Sequence, residues 1–321
     1  MAYSAHTGSF NVDTSKTAGQ TQSVTGVGFQ PSIVFFWWAG GHSTGDEAAG
    51  GGYSAGFGAA ISSSSRWCVG GVSDDAAASS NTSSFQTNTA CMRGYSAGTP
   101  TLDGSLDLSS LDADGFTLVV DDQFTIDYRV SYLALGGTDL TNVYLGIYQS
   151  PASTGNHNIT GVGFQPDALI VVGTNATAAA GAAGAPETWF LGLATGSGNQ
   201  GVVHASASDA AATSDTFGYG YNGECVATRI VSGSFTVREA FVSFGADGFT
   251  LNSLEAGAQH YFCFVCLKGG KYSVGELTTR TDGNDISENV GFQPAAVLFA
   301  SANRALSTQD TPTANARLSI G

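Results

Sequence analysis

A seven-residue stretch recurs along this chain, and its recurrence constrains the fold more than any other feature. TGVGFQP stands at residues 25–31 and again at 160–166, and ENVGFQP stands at 288–294. Other landmarks follow the first two copies in the same order: GVSDDAAASS matches SASDAAATSD, Cys91 matches Cys225, and ADGFTL occurs twice. The spacings between matched landmarks stay between 133 and 135 residues. A constant order and spacing indicate duplication of one folding unit.

The spacing has the size of a small domain, so the repeats are predicted to be tandem domains. The first repeat is assigned to residues 1–138, the second to 139–268, and an incomplete third repeat to 269–321. The third copy stops at ARLSIG, which matches WFLGLA at 189–194. A half-formed sandwich exposes apolar surface, so we expect polypeptide beyond Gly321 or another chain to complete it.

The pattern of apolar residues predicts an all-β fold. Short β-branched and aromatic runs are separated by Gly, Asp and Asn, and helical spacing is rare. IVFFWW (33–38), ALIVV (168–172) and AAVLFA (295–300) are apolar at every position, which is typical of central strands buried on both sides. Each repeat is therefore predicted to be an antiparallel β-sandwich of six to eight strands. The GVGFQP motif is interpreted as turn and packing geometry at the entry to the central strand.

The net negative charge of the chain argues against a nucleic-acid partner. The chain has 11 Lys and Arg against 26 Asp and Glu, a net charge of −15. A nucleic-acid-binding protein needs a basic surface, so no nucleic-acid partner is predicted. No apolar run reaches the ~20 residues of a membrane span, and the N-terminus lacks a secretory pattern. We expect synthesis in a host cytoplasm, with no signal peptide and no membrane span.

The cysteines and acidic turns predict neither a metal nor a cofactor. Five cysteines without a signal peptide argue against a disulfide framework. CFVC at 263–266 matches C-x-x-C, but residues three apart on a strand point to opposite faces, so we interpret them as buried thiols. DADG at 112–115 resembles part of a calcium loop, yet the second copy has Gly245 where the first has Asp112.

Two patterns raise the question of catalysis. GYSAG at 52–56 and 94–98 fits G-x-S-x-G, but no helix follows either serine, and the second repeat has no matching serine. The acidic pairs at 46–47, 74–75 and 121–122 could suggest a glycosidase, yet none recurs complete in the second repeat. The chain is therefore predicted not to be an enzyme, with no catalytic residue.

The loop after the central strand is the candidate recognition or interface region. In the first copy it reads AGGHSTGDEAAGGG (39–52) and carries His42, Asp46 and Glu47. Its length is nearly constant among copies while its sequence changes, as in recognition loops on a rigid scaffold. Next to it, Trp37 and Trp38 alternate faces, so one of them points away from its own core. That tryptophan could stack on a sugar, but an interface with the next repeat or subunit is favoured.

The motifs together resemble a known group of proteins. The G-F-x-P turn, the D-G-F-T-L strand and the closing strand YRVSYLALGG resemble repeat units of tailed-phage virion proteins and, more distantly, the H-type lectin fold, a six-stranded antiparallel β-sandwich. The resemblance implies an oligomeric virion component, namely a tail-fibre, tail-tip or head-decoration protein. Its implied partners are other virion proteins, copies of itself and a host-surface glycan.

The alternative hypothesis is a stand-alone carbohydrate-binding, lectin-like module. A free lectin is expected to repeat its sugar site in each copy. Trp37 and Trp38 fall over Val171 and Val172, or over Val172 and Gly173, depending on the alignment. No aromatic platform is repeated in either case, which favours the virion hypothesis.

Overall fold

The computed structural model describes residues 3–40, 53–74, 78–96, 101–213, 215–229, 234–302, 313–314 and 319–321. Over these residues the fold is all-β with antiparallel sheets, as the sequence predicts. The strands of the first repeat are β1 (Tyr3–Asn11), β2 (Thr21–Thr25), β3 (Pro31–Gly40), β4 (Tyr53–Ser62), β5 (Ser65–Ser73), β6 (Thr82–Thr87), β7 (Met92–Ser96), β8 (Thr101–Asp112), β9 (Gly115–Asp122) and β10 (Tyr128–Gly137).

The second repeat follows the same order with one additional strand, β14. Its strands are β11 (Asn142–Gln149), β12 (Gly155–Thr160), β13 (Ala168–Thr174), β14 (Gly181–Gly184), β15 (Glu187–Gly196), β16 (Asn199–Ala207), β17 (Thr216–Tyr221), β18 (Val226–Arg229), β19 (Phe235–Gly245), β20 (Gly248–Ala256) and β21 (Tyr261–Lys268). The third segment contributes β22 (Ala300–Ser301), β23 (Thr313–Ala314) and β24 (Ser319–Ile320).

Each complete repeat is a sandwich of a large and a small sheet. In the first repeat the large sheet has the order β1-β10-β3-β4-β5-β6 and the small sheet β2-β9-β8-β7. The second repeat has β11-β21-β13-β15-β16-β17 and β12-β20-β19-β18. This makes ten strands per sandwich within the described residues, so the prediction of six to eight was wrong. Strands such as β6, TSSFQT, were missed because they have little apolar alternation, although every residue of β6 is buried.

The central strands are buried on both sides, which confirms the prediction for 33–38 and 168–172. In β3, Val34 and Phe36 belong to the core between the two sheets of the first repeat. Ile33 and Phe35 point the other way and are also buried, in a separate apolar cluster. In β13, all seven residues are buried. Each central strand therefore serves two apolar layers, and the outer layer needs a partner beyond its own sandwich.

The repeated turn is held by the aspartate of the ADGFTL motif. Asp114 accepts hydrogen bonds from the backbone N–H groups of Gly26 (3.1 Å) and Gly28 (2.6 Å). Gly28 has φ +84°, a left-handed conformation that glycine adopts without steric cost. In the second repeat, Asp247 binds Gly161 and Gly163 in the same way, at 3.0 and 2.6 Å. The two motifs recur together because they form one contact between the two sheets of each sandwich.

The third segment reproduces only the start of a repeat over its described residues. Ala300 in β22 pairs with Ile320 in β24, which matches the pairing of β13 with β15. The inner face of this segment has no small sheet over it in the described structure. Val297 and Phe299 are 56% and 54% exposed, so the run 295–300 differs from the prediction of burial on both sides.

Candidate interaction site: the interface between the repeats

The outer faces of the two large sheets pack against each other and form one apolar cluster. Its buried members come from both repeats, and the larger ones are Ile33, Phe35, Phe57, Trp67 and Leu133 from the first, and Ile170, Val172, Trp189, Leu191 and Val265 from the second. The Trp67 ring N–H donates to the carbonyl oxygen of Phe264 across the interface, at 3.3 Å. This cluster accounts for the second apolar face of each central strand.

A strand of the second repeat completes the large sheet of the first. β14 pairs antiparallel with β6, with Gly181 opposite Gln86 and Gly184 opposite Ser84. The first large sheet therefore has a seventh strand supplied by its neighbour. An edge strand presents unpaired backbone groups, and strand addition satisfies them without a requirement for particular side chains. This explains how a Gly- and Ala-rich segment can bind without large apolar or charged side chains.

β14 lies in the loop after the central strand, the region interpreted above as a surface recognition loop. In the second repeat the described structure places this loop against the first repeat, because its backbone pairs with β6. The length of this loop in the second repeat is sufficient to reach the neighbouring sheet edge and return to β15. The freedom in its sequence follows from this geometry, because the pairing uses backbone groups.

Hydroxyl groups on β6 and the preceding turn add side-chain contacts to the strand addition. The Thr82 hydroxyl donates to the carbonyl of Ala207 at 3.1 Å and accepts from the N–H of Glu187 at 3.3 Å. The Ser80 hydroxyl donates to the carbonyl of Ser208 at 2.7 Å. The Ser84 hydroxyl donates to Asn175 Oδ1 at 3.0 Å. These contacts fix the position of the second repeat along the edge of the first.

A buried carboxyl group lies within the same interface. Glu187 is only 3% exposed, and its side chain packs directly on Gly71 of β5. A Cβ atom at position 71 would come within 2.2 Å of Glu187 Oε1, so the carboxyl group occupies the space that glycine leaves. Burial raises the pKa of Glu187 to about 8, against a hydrogen bond from Trp189 that lowers it. The interface therefore contains an acid whose protonation changes near neutral pH.

The structure separates the two candidate tryptophans. Trp38 points into the core of the first sandwich. Trp37 is on the outer face, where it is half-buried and packs against the inter-repeat cluster. His42, Asp46 and Glu47 lie outside the described residues. Of the five candidate residues, Trp37 is the one that the described structure places at the interface between repeats.

Strand pairing also decides which residues replace the tryptophans in the second repeat. Phe36 is opposite Gly58 and Val171 is opposite Gly192, and both glycines occupy the same position in the repeat. Trp38 therefore corresponds to Gly173. Trp38 packs over Gly56, whereas Gly173 lies opposite Phe190, which corresponds to Gly56. The first repeat thus has the large residue on β3 and the glycine on β4, and the second repeat has the glycine on β13 and the large residue on β15. One large ring is present at this position of each sandwich.

The serines of the G-x-S-x-G patterns lie on strands. Ser54 is buried on β4, and its hydroxyl accepts the backbone N–H of Tyr95 at 3.1 Å. Ser96 ends β7, and its hydroxyl donates to the carbonyl of Thr101 at 3.3 Å. Neither serine lies on the strand-to-helix turn that activates a hydrolase nucleophile.

The cysteines behave as small core residues. All five are free and buried, and burial raises the pKa of the Cys68 thiol to about 12. Cys263 faces the inter-repeat cluster, and Cys266 faces the core of the second sandwich. Among the described residues, no group of three His, Cys, Asp or Glu side chains could hold a metal ion. The described part of the chain also contains no helix long and apolar enough to cross a membrane.

One buried polar cluster of the second repeat was missed from the sequence. Glu239, fully buried on β19, accepts hydrogen bonds from the Tyr148 hydroxyl and pairs with His157 Nε2, the latter at 3.0 Å. These residues are 82 and 91 positions from Glu239, and no local pattern connects them. In the first repeat, Leu106 takes the place of Glu239, because Met92 lies opposite Leu106 as Val226 lies opposite Glu239, so the cluster is specific to one sandwich. Its geometry ties β11, β12 and β19 together.

Comparisons with known proteins add no family to this description. No family model matches the chain, and neither a curated protein nor a solved structure matches it.

Proposed function

We propose that this chain is a structural and interaction protein of a phage virion, as a tail-fibre, tail-tip or head-decoration component. The observation that supports an assembly role is the strand addition between repeats, in which β14 extends the sheet that ends at β6. The inter-repeat cluster around Trp67 and Trp189 reinforces it. Strand addition and a wide apolar interface are the means by which subunits of a lasting assembly bind each other.

The assignment to a virion rests on the resemblance of the repeat motifs and on composition. The G-F-x-P turn and the D-G-F-T-L strand resemble virion repeat units, and the structure gives both motifs a shared role through Asp114 and Asp247. The partners proposed are other virion proteins and copies of this chain, with a host-surface glycan as a further partner. The excess of 26 acidic over 11 basic residues disfavours nucleic acid as a partner.

Mass spectrometry of purified particles tests the proposal. We expect peptides from both repeats in particles that have been washed at high salt, and labelling by a specific antibody on imaged virions. A particle preparation from a strain with the gene deleted is the matched control. Absence of the chain from washed particles would contradict the proposal.

The lectin-like alternative is decided by a second measurement. If the chain is absent from particles and binds a glycan array with a defined specificity, the carbohydrate-binding module replaces the virion protein as the conclusion. The placement of Trp37 in the inter-repeat cluster and of Trp38 in a core leaves neither ring as a sugar platform. Binding that survives Trp37→Ala would therefore point to a different sugar site.

A further inference from the structure

The two contacts between successive repeats are the same contact made twice. β14 pairs with β6, with Gly184 opposite Ser84, and β23 pairs with β17, with Thr313 opposite Gly218. Ser84 and Gly218 occupy equivalent places, 134 residues apart, in the two large sheets. The third segment therefore extends the second repeat's sheet at the place where the second repeat extends the first.

A side-chain contact supports this equivalence. Asn88, in the turn after β6, lines a groove between the repeats together with Ile147 of β11. In the next step along the chain, Asn222 donates its side-chain N–H to Glu276 Oε2 at 3.1 Å. Asn88 and Asn222 are 134 residues apart and follow β6 and β17 at matching positions. The turn after β6 thus faces the second repeat, as the turn after β17 faces the third segment.

The central strands of all three copies meet in one cluster. Phe35 and Ile170, at matching positions of β3 and β13, are buried there, and Leu298 of the third segment packs against the same cluster as a half-buried residue. A cluster shared by three successive copies is what a threefold arrangement produces, because each copy then turns the same face toward a common axis.

The first and third repeats also touch each other directly. The Tyr3 and Tyr272 rings pack edge to face with centroids 6.2 Å apart, and their hydroxyl oxygens are 3.4 Å apart. Gly270 lies against the Tyr3 ring, with no room for a side chain. The third segment thus begins beside the first strand of the chain.

We propose that the three copies surround an approximate threefold axis and close into a ring, with the third side formed between the third repeat and the first. A directional contact repeated by one rotation gives a ring when the rotation closes and an open filament when it does not. The use of the ring within a larger assembly rests on the proposed function, whereas the closure of the ring does not. In a closed ring, the large sheets face the axis and the small sheets face outward toward partners.

Cross-linking of the full chain tests closure. The double variant Tyr3→Cys/Tyr272→Cys is treated with a bis-maleimide that has a short ethylene spacer. The five native cysteines are buried and serve as unreactive background. The matched control is Ser23→Cys/Tyr272→Cys, because Ser23 is exposed on the small sheet of the first repeat. We expect the first variant alone to give an intramolecular product of monomer mass, at a yield independent of protein concentration.

The remaining outcomes overturn the ring. A ladder of covalent dimers and higher species that grows with concentration would show an open filament, and no product at either pair would show that the first and third copies do not meet. If the cysteine variants fail to fold, sedimentation of the unmodified chain over a range of concentrations decides: a species of constant size supports closure, and chains that lengthen with concentration refute it. Neither result changes whether the protein is found in particles, so the two proposals fail independently.

Discussion

The carboxylate of Asp247 accepts the backbone N–H of Gly163 at 2.6 Å, and Asp114 binds Gly28 at the same distance in the other repeat. Each aspartate also accepts a second N–H from the glycine two positions earlier. The turn before the central strand is thereby attached to the hairpin of the small sheet. This contact joins the two sheets of each sandwich at one end. The GVGFQP and ADGFTL motifs therefore form one hydrogen-bonded contact that both copies retain.

Loss of this hydrogen-bonded contact in the second repeat is expected to destabilise the chain. The hydrogen bonds from Gly163 and Gly161 lower the pKa of Asp247 below its ordinary value of 3.8. A lowered pKa contributes stability above the unfolded value, and that contribution is lost as the pH falls through the folded value. Asp247→Asn should lower the melting temperature at neutral pH and reduce the loss of stability in acid, measured by calorimetry. Asp122→Asn, at an exposed strand end, is the control, and an equal effect there would refute the assignment.

Gly192 is expected to tolerate no side chain. A Cβ atom there would lie 1.7 Å from the carbonyl oxygen of Cys225, within the backbone that crosses the sandwich core. Gly192→Ala should cost about 1–3 kcal/mol of unfolding free energy or prevent folding, as overpacking does. Gly198→Ala is the control because nothing lies within 4 Å of its position. Urea unfolding compares the two, and an unchanged midpoint for Gly192→Ala would contradict the structure.

The buried carboxyl group of Glu187 should make the unfolding free energy depend on pH with a sign opposite to that expected for Asp247. Because burial raises its pKa from 4.5 to about 8, the folded state holds the proton more tightly than the unfolded state. Its contribution to stability is therefore complete below the unfolded value and is lost as the pH rises from 4.5 to about 8. Glu187→Gln, which stays neutral, should flatten this decline in urea unfolding free energies measured across that range. A wild-type stability that climbs through the range, unaltered in the variant, would rule the assignment out.

The hydrogen bonds of the Thr82 hydroxyl are expected to stabilise the interface between the repeats. Thr82→Val keeps the shape but leaves the N–H of Glu187 and the carbonyl of Ala207 without this partner. Loss of a partner from buried polar groups costs about 1–3 kcal/mol. We expect a lower unfolding midpoint and faster proteolysis between the repeats. Thr25→Val, on an exposed strand end, should change neither, and similar results for both variants would argue against the contact.

Phe36 and Phe299 occupy the same position of the repeat but lie in different environments. Phe36 is 1% exposed between two sheets, and Phe299 is 54% exposed. Phe36→Ala should destabilise the chain by about 3–5 kcal/mol. Phe299→Ala should leave the unfolding free energy nearly unchanged, because little apolar area is removed from contact. Thermal unfolding of both variants is the measurement, and a large cost at Phe299 would show that this face is covered in solution.

The sequence was sufficient where a feature repeats or alternates. The matched spacing of Gly28 and Gly163 indicated the tandem units, and the two-faced runs at 33–38 and 168–172 indicated that a second layer must cover each large sheet. It also placed Cys263 and Cys266 on opposite faces, as observed. These features depend on the period of two residues along a strand, which is local.

Contacts between distant residues could not be derived in this way. Asp114 and Gly28 are 86 positions apart, so the local pattern of either motif does not reveal the hydrogen bond that joins them. β14 has the composition of a loop, because a strand that binds through its backbone needs no apolar alternation. The polar strand β6 was missed for a related reason: Thr82 and Ser84 are buried by a neighbouring repeat, and burial between repeats leaves no periodic signature.

Strand addition from β14 also sets an order of events during synthesis. β6 leaves the ribosome well before Gly181–Gly184, so the first sandwich is translated with one edge of its large sheet unpaired. That edge stays open until Gly184 has emerged, and the apolar face beside Trp67 stays open until Phe264 has emerged. Translation speed across the segment between Asn142 and Gly184 thus determines how long the nascent chain presents a surface to which a second nascent chain could bind.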